Sequence, residues 1–291
     1  MRWLSWSYRA GRGLVLCLPR TASYRCVTGL ADLHYAFSTK DRQAVGRNLA
    51  EILGHGHPGI PAASREVFRN FAKYLVDFFR LERFDAAFLA QYVTVQGREY
   101  LDEALRGGRG VILLSAHLGN YELGAAVMTT LGYPVSAIVL THQDPDIDAF
   151  FTHQRRAERV TAIPVGMALR QGFICLRRNE LLAVVGDRDF SQNGLEVTLL
   201  GRPTRVPKGP AMFSVRTGAP ILPAFCIREP RDRFRMILER PILPRTDADE
   251  LTEIRRLTQA GTAVLEQYIR QYPTQWYLFQ DFDRPGPAVI L

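Results

Sequence analysis

The sequence predicts a layered α/β domain in which helices flank a central, largely parallel sheet and amphipathic helices precede it. From residue 111 onward, short apolar runs alternate with stretches whose apolar residues recur at helical spacing. This alternation is typical of parallel strands joined by right-handed helical crossovers. Apolar residues form 47% of the 291-residue chain, which is enough for a sizeable core. No linker rich in Pro, Gly or Ser separates the first hundred residues from the rest.

The predicted strands are short apolar runs, and the predicted helices carry apolar residues three and four positions apart. The strands are expected at residues 111–114, 135–140, 181–185, 197–200, 221–227 and 234–238. The helices are expected at residues 120–131, 147–159, 167–177, 210–217 and 248–271. Asp247 stands three positions before Glu250, which predicts that Asp247 caps the last helix.

Residues 1–60 are predicted to be a helical, membrane-associating segment, followed by the α/β domain over residues 61–291. Residues 1–31 contain five arginines and no acid, together with Trp3, Trp6 and Tyr8. Interleaved aromatic and basic side chains suit the interface of a membrane. The alternative is an ordinary basic helix packed on the domain.

The amino-acid composition indicates which classes of molecule the protein binds. A net charge of +8 and a pI of about 9.6 favour anionic partners such as phosphates, acidic lipids or an acidic carrier protein. Most of the 37 basic residues are arginine, which binds phosphate and carboxylate in a bidentate manner. No nucleic-acid-binding module is recognisable, and the cysteines and histidines lack metal-ligand spacing, so we expect neither nucleic acid nor a metal ion. No apolar run approaches the roughly 18–20 residues needed to cross a bilayer.

The most informative segment follows the apolar run 111–114. His117 lies three positions after the end of this run, and Glu122 lies five positions later at the start of the next predicted helix. Ligands of α/β sheets bind at the carboxyl ends of strands. An imidazole beside an acid suits general base catalysis, because the acid fixes the tautomer and supports the imidazolium. We therefore predict that His117 is a catalytic base oriented by Glu122; a core histidine bonded to backbone is the alternative.

Other polar residues are predicted to contact the substrate. Asp187, Arg188 and Asp189 follow the apolar run 181–185 after a single glycine, and the arginine between the two carboxylates argues against a metal site. Lys208 precedes a helix whose first amides could bind a phosphate. A solvated surface is the alternative for each. The predicted substrate contacts are Asn120, Arg155, Arg156, Asp187, Arg188, Asp189, Glu196 and Lys208.

Several segments occur in the order typical of one enzyme family. His117-x4-Glu122 fits the HX4(D/E) motif of the lysophospholipid acyltransferase superfamily. Within that superfamily the chain resembles the branch of bacterial lipid A late (lauroyl/myristoyl) acyltransferases and phosphatidylinositol mannoside acyltransferases. The motif alone is weak, but its order with the other blocks is specific. Within residues 40–283 those blocks are RNL (47–49), FRNF (68–71), GDRDF (186–190), GLEV (194–197), GRP (201–203), TGAPILP (217–223) and PTQWY (273–277).

The resemblance implies an enzyme that moves a fatty acyl group from an acyl carrier protein or coenzyme A thioester to a hydroxyl of a glycolipid or lysolipid. It implies that His117 is the base, that Glu122 is its partner, and that either Arg155 or Arg156 belongs to the active site. The charged block 187–189 is implied to lie near the acceptor or the thioester.

The resemblance also implies peripheral attachment to the cytoplasmic face of the bacterial inner membrane, with anionic lipids as partners and no cofactor besides the acyl donor. The acceptor stays open. The segment 186–197 is nearer to the mannoside branch, whereas Glu122 is the commoner choice on the lipid A side.

Two other functions are kept as alternatives. One is an acyl thioesterase or lipase-like hydrolase, with water as the acceptor or Ser115 as the nucleophile, although no G-x-S-x-G nucleophile motif occurs. The other is a non-catalytic, lipid-binding protein of the membrane surface.

Overall fold

The protein is built around a mostly parallel sheet. The computed structural model describes residues 11–141, 144–157, 159–189 and 193–283. The strands are β1 (Val93–Gln96), β2 (Val111–Ser115), β3 (Val135–Val139), β4 (Val160–Pro164), β5 (Leu181–Val185), β6 (Leu195–Leu199), β7 (Arg202–Val206), β8 (Ile221–Glu229) and β9 (Arg233–Leu238).

Seven of these strands form the central sheet, in the order β1-β9-β8-β2-β5-β3-β4, and β6 and β7 form a separate antiparallel hairpin. Within the central sheet, β8 and β9 are antiparallel and the other neighbouring pairs are parallel. The predicted α/β fold with a largely parallel sheet is confirmed.

Three strands lie outside the predicted set, and their positions explain why. β1 and β4 are the two edges of the central sheet, and β7 belongs to the hairpin. β1 alternates half-buried and exposed residues, β4 ends on Pro164, and β7 carries Pro203 between polar residues. Continuous apolar runs identify strands that are buried on both faces, so strands with a solvated face escape that criterion.

The helices precede the sheet or connect its strands, except the last helix, which follows the last strand. They are α1 (Arg20–Phe37), α2 (Thr39–Leu53), α3 (Ile60–Phe79), α4 (Ala86–Tyr92), α5 (Arg98–Arg106), α6 (Tyr121–Thr130), α7 (Pro145–Ala157), α8 (Ala168–Arg177), α9 (Gly209–Thr217) and α10 (Glu250–Gln271). The predicted cap of the last helix is wrong. Asp249, not Asp247, accepts a hydrogen bond from the N–H of Thr252 at 3.1 Å, because it directly precedes the first helical residue.

Side chains of β2 alternate between the two faces of the sheet and produce the layered structure. Val111 and Leu113 join a buried cluster with residues of α3, α5 and α6. Ile112 and Leu114 join a second cluster with residues of α8, α9 and α10. Both faces of β2 are therefore covered, as a parallel sheet requires.

The described N-terminal helices pack on the α/β body. Asn48 of α2 donates hydrogen bonds to the carbonyls of Leu278 (3.1 Å) and Gln280 (2.8 Å). The predicted division at residue 60 falls at the start of α3. In the described ranges, no helix is both long and apolar enough to span a bilayer. The predicted interfacial side chains of Trp3, Trp6 and Tyr8 lie outside the described residues.

A buried polar network joins α1, α3 and β8 to the segment after β2. Asp77 and Arg228 form an ion pair, and the hydroxyl of Tyr24 donates to Asp77. Nδ2 of Asn120 donates to the same carboxylate at 2.9 Å. Gln275 holds the peptide of Arg228 through two hydrogen bonds, of 3.0 Å from the Arg228 N–H and 2.9 Å to the Arg228 carbonyl. These contacts fix the position of the chain that follows β2.

We expect Asp77→Ala to lower the free energy of unfolding by about 3–5 kcal/mol, because it leaves the guanidinium of Arg228 buried without its partner. Denaturant titration followed by circular dichroism measures this change. Asp32→Ala is the control, since Asp32 pairs with Arg65 and Arg69 at the surface, where ion pairs contribute little. Equal losses for both variants would contradict a structural role for the buried pair.

Candidate active site

The parallel pairing of β2 with β5 creates the site. Ser115 and Val185 are register partners at the carboxyl ends of these strands, and His117 and Asp187 each stand two residues further along. Nδ1 of His117 is 2.8 Å from Oδ1 of Asp187. The backbone N–H of His117 donates to Oδ2 of the same carboxylate at 3.2 Å. The two residues therefore form a histidine–carboxylate pair.

Asp187 is fully buried, and its surroundings stabilise the charged form. The indole Nε1 of Trp276 donates to Oδ2 at 2.9 Å. Burial by itself raises the pKa of Asp187, but the interactions with His117, Trp276 and Arg188 hold that pKa below its usual value. The carboxylate is therefore ionised at neutral pH. An ionised acceptor assigns the proton to Nδ1 of His117, which leaves Nε2 as the hydrogen-bond acceptor.

The C-terminal segment is hydrogen-bonded to the loop that carries the histidine. The N–H of Tyr277 donates to the carbonyl of His117 at 2.8 Å, and the N–H of Gly119 donates to the carbonyl of Gln275 at 2.9 Å. Gly119 has a φ of +65°, and a Cβ there would lie 2.3 Å from the carbonyl oxygen of Cys226, so this position requires glycine. The loop is thus fixed while the His117 side chain stays 21% exposed.

Two tyrosines form one wall of the site. The ring of Tyr121 lies 5.5 Å from the ring of His117 in an edge-to-face arrangement. The hydroxyl of Tyr74 donates to the hydroxyl of Tyr121 at 2.8 Å. Burial raises the pKa of both phenols, so both remain neutral beside the histidine.

Glu122 has a different partner from the one predicted. Nη2 of Arg155 donates to Oε1 of Glu122 at 2.6 Å, and Nε of Arg155 lies 3.1 and 3.2 Å from the two carboxylate oxygens. Both side chains are largely buried. The prediction that Glu122 orients His117 is wrong. The pairing of β2 with β5 brings Asp187 to the ring, whereas Glu122 lies in the first turn of α6 and binds α7.

Asn120 supports the structure instead of facing a substrate. It is buried, and its Oδ1 caps α6 by accepting from the N–H of Leu123 at 3.0 Å. Its own N–H donates to the carbonyl of Cys226 at 2.7 Å, and its Nδ2 binds Asp77. The prediction of Asn120 as a substrate contact is wrong, because both polar atoms of its side chain are used within the fold.

The other predicted substrate contacts divide between the site and the surface. Arg155 is held beside the site by its ion pair with Glu122. Arg188 is half-buried next to Asp187, and burial lowers the pKa of its guanidinium. Asp189 is buried and accepts from the N–H of Gly194 at 2.7 Å, so it also holds the following loop. The exposed residues are Arg156, Glu196 and Lys208. For all the residues in this group, both buried and exposed, contact with a substrate stays a prediction.

A serine nucleophile is not favoured by the geometry. The hydroxyl of Ser115 contacts the carbonyl of Ala116 at 3.5 Å instead of the ring of His117, whereas a serine nucleophile needs a hydrogen bond to its base. Within the described ranges, no three His, Cys, Asp or Glu side chains are grouped as metal ligands are. His142 and Phe190 lie outside those ranges.

The sequence contains Asp187 and Trp276 but does not indicate their shared role. One feature of the sequence could have revealed the contact between His117 and Asp187. Each residue stands two positions beyond the last residue of its strand, Ser115 in β2 and Val185 in β5. This signal has meaning only once β2 and β5 are known to be neighbours. Trp276 is more distant in sequence, and nothing in its local pattern points to a carboxylate.

A partly exposed histidine with its Nδ1 held by a buried carboxylate has the geometry of a general base, and this fold and site define an α/β enzyme. The chain belongs to the bacterial lipid A biosynthesis acyltransferase family, whose profile matches residues 1–282. The protein is therefore an O-acyltransferase of lipid biosynthesis, as the motifs implied.

Similar proteins include two mycobacterial enzymes. A phosphatidylinositol mannoside acyltransferase of Mycobacterium tuberculosis is 28% identical over 293 aligned residues, which cover 94% of this chain and 87% of the relative. A phosphatidylinositol mannoside acyltransferase of Mycolicibacterium smegmatis is 27% identical over 278 residues, which cover 94% and 89%.

We expect Asp187→Asn to lower kcat by about 10²–10⁴-fold, because an amide in place of the carboxylate neither fixes the imidazole tautomer nor supports its positive charge. The measurement is thiol release from a long-chain acyl coenzyme A in the presence of polar lipids from the source cells. Asp102→Asn, on the exposed face of α5, is the control and should leave the rate unchanged. A near wild-type rate for Asp187→Asn would remove Asp187 from the mechanism.

The Glu122–Arg155 pair should behave as one unit. Glu122→Gln leaves Arg155 buried beside a neutral amide, so we expect the double variant with Arg155→Gln to lose less stability than the sum of the losses in the two single variants. A double-mutant cycle built from the wild type, the two single variants and the double variant should give a coupling free energy of about 1–3 kcal/mol in denaturant titrations. Additive effects of the two substitutions are the result that contradicts the pairing.

Proposed function

We propose that this acyltransferase moves a fatty acyl group from a thioester donor to a hydroxyl of a glycolipid acceptor, with His117 as the general base. The observation that carries the proposal is the 2.8 Å contact between Nδ1 of His117 and the fully buried carboxylate of Asp187. It leaves Nε2 as the ring nitrogen able to take a proton. Family membership supplies the type of reaction.

In the proposed reaction, Nε2 of His117 takes the proton of the acceptor hydroxyl while the hydroxyl oxygen attacks the thioester carbonyl carbon. Collapse of the tetrahedral intermediate breaks the carbon–sulfur bond, and the thiolate leaves with a proton returned by the imidazolium. Asp187 keeps its negative charge throughout and stabilises the transient positive charge on the ring. General base catalysis of this kind contributes about 10²–10⁴-fold to the rate. Because the thioester is already activated, no acyl-enzyme intermediate is needed.

The proposed donor is acyl carrier protein or coenzyme A loaded with a fatty acid. Both carry a phosphopantetheine arm, and the net charge of +8 supports attraction of its phosphate or of an acidic carrier. Arg188 and Lys208 are the basic side chains that we propose for this contact, since Arg188 lies next to Asp187 and Lys208 precedes α9. No further cofactor is required for this reaction.

The proposed acceptor is an anionic glycolipid with a free sugar hydroxyl. The activity of the mycobacterial relatives supports a phosphatidylinositol mannoside, and membership of the lipid A acyltransferase family supports a lipid A precursor. Both acceptors present a hydroxyl beside phosphate, so the same base and the same positive charge serve either one.

We also propose peripheral attachment to the cytoplasmic face of the inner membrane through α1. The exposed side chains of Leu30, Leu33 and Phe37 recur along one side of α1, opposite the buried side chains of Tyr24 and Ala31. An apolar stripe on the outside of a helix matches an interfacial helix that lies in the headgroup region.

The test is the lipid composition of a deletion strain complemented with wild-type protein, His117→Ala or His55→Ala. We expect a glycolipid to lose one acyl chain in the deletion strain, and to regain it with the wild type and with His55→Ala but not with His117→Ala. His55 is an exposed loop histidine and serves as the control. Restoration of the lipid by His117→Ala would refute the proposed base.

A further inference from the structure

A second apolar surface lies on the turn that joins β4 to α8. The side chains of Val165, Met167 and Leu169 are between 42% and 52% exposed, and we call these three residues the β4–α8 tip. They occur within five positions, although aliphatic side chains of this size are normally buried. Ile174, one turn along α8, is also exposed.

The chain segment that carries the β4–α8 tip contains basic side chains and no acidic ones. Residues 159–179 contain no Asp or Glu. Arg170 is exposed in the first turn of α8, whereas Arg177 and Arg178 are exposed at the far end of this helix. Long basic side chains can extend from an apolar surface toward lipid phosphates. Exposed aliphatic residues next to the basic side chain of Arg170 match the chemistry of an anionic lipid surface.

The position of the β4–α8 tip relates it to the catalytic residues. Val165 directly follows the last residue of β4, which is parallel to β3 and, through β3 and β5, to β2. The tip therefore lies at the same edge of the sheet as His117 and Asp187. Three strand spacings separate β4 from β2, which is about 14 Å.

α1 reaches the same edge from the other side of β2. Tyr24 of α1 accepts a hydrogen bond from Arg228, near the carboxyl end of β8, and β8 is the other neighbour of β2. The histidine thus lies between α1 and the β4–α8 tip along one edge of the sheet. A lipid surface in contact with both would face that edge.

We propose that the β4–α8 tip is a second membrane contact, which inserts Val165, Met167 and Leu169 among anionic lipids and turns the catalytic edge toward the bilayer. This proposal rests on the proposed membrane-associated function and adds the surface that sets the orientation. A docking site for an acidic carrier protein is the competing use of the arginines, but it gives the three aliphatic side chains no partner of their own.

The test is flotation of the full-length protein with vesicles of phosphatidylcholine, with or without phosphatidylglycerol. We expect Met167→Glu/Leu169→Glu to lower the partition coefficient on anionic vesicles by about tenfold or more, because two apolar contacts are replaced by charges that anionic lipids repel. Leu243→Glu/Leu251→Glu is the matched control, with the same change of charge at two exposed leucines outside the β4–α8 tip. It should bind as the wild type does.

Arg170→Gln tests the electrostatic part. We expect a loss of roughly fivefold on anionic vesicles, and no loss on neutral vesicles. Arg106→Gln, an exposed arginine at the end of α5, is its control. High salt should abolish the difference between Arg170→Gln and the wild type.

Binding and catalysis are separated by including His117→Ala, which should float as the wild type does. Unchanged flotation of Met167→Glu/Leu169→Glu would overturn the proposal, and so would an equal loss in the leucine control. Retained flotation together with lost binding to an acyl carrier protein would assign the β4–α8 tip to that protein and overturn it as well. Circular dichroism of each variant shows that the fold is intact.

Discussion

The pairing of β2 with β5, in which Ser115 lies opposite Val185, places a histidine and an aspartate side by side at one edge of the sheet. A slip of one residue in either strand would turn its side chains to the other face and separate the pair. A buried carboxylate is costly unless donors compensate it. Here the ring and N–H of His117 and the indole of Trp276 provide that compensation.

The two acids near the histidine have different surroundings and therefore different roles. Asp187 is held by the imidazole and the indole, so its charge acts directly on the ring of His117. Glu122 belongs to a bidentate ion pair with Arg155, which joins the first turn of α6 to α7. The acid of the HX4(D/E) motif thus pairs with an arginine of α7, while the partner of the histidine follows another strand, β5.

The rigidity of the histidine loop comes from polar contacts beneath it. Asn120 caps α6 and binds Asp77, and Gln275 holds both Arg228 and the N–H of Gly119. A general base must keep its geometry relative to the acceptor hydroxyl within a fraction of an ångström, and side chains locked by hydrogen bonds provide this better than a mobile loop. The buried network therefore fixes the position of the loop that carries His117.

The sequence by itself determined the α/β class, the inner strands, the histidine and the family, because these depend on apolar runs and local motifs. It did not determine the edge strands, whose polar faces hide them, or the cap at Asp249. Only the tertiary structure decided that Asp187 binds His117, that Glu122 binds Arg155, and that Asn120 is buried. The physical reason is that these contacts join residues distant in sequence, and strand order in a parallel sheet is set by how the helices cover its faces, which no local pattern records.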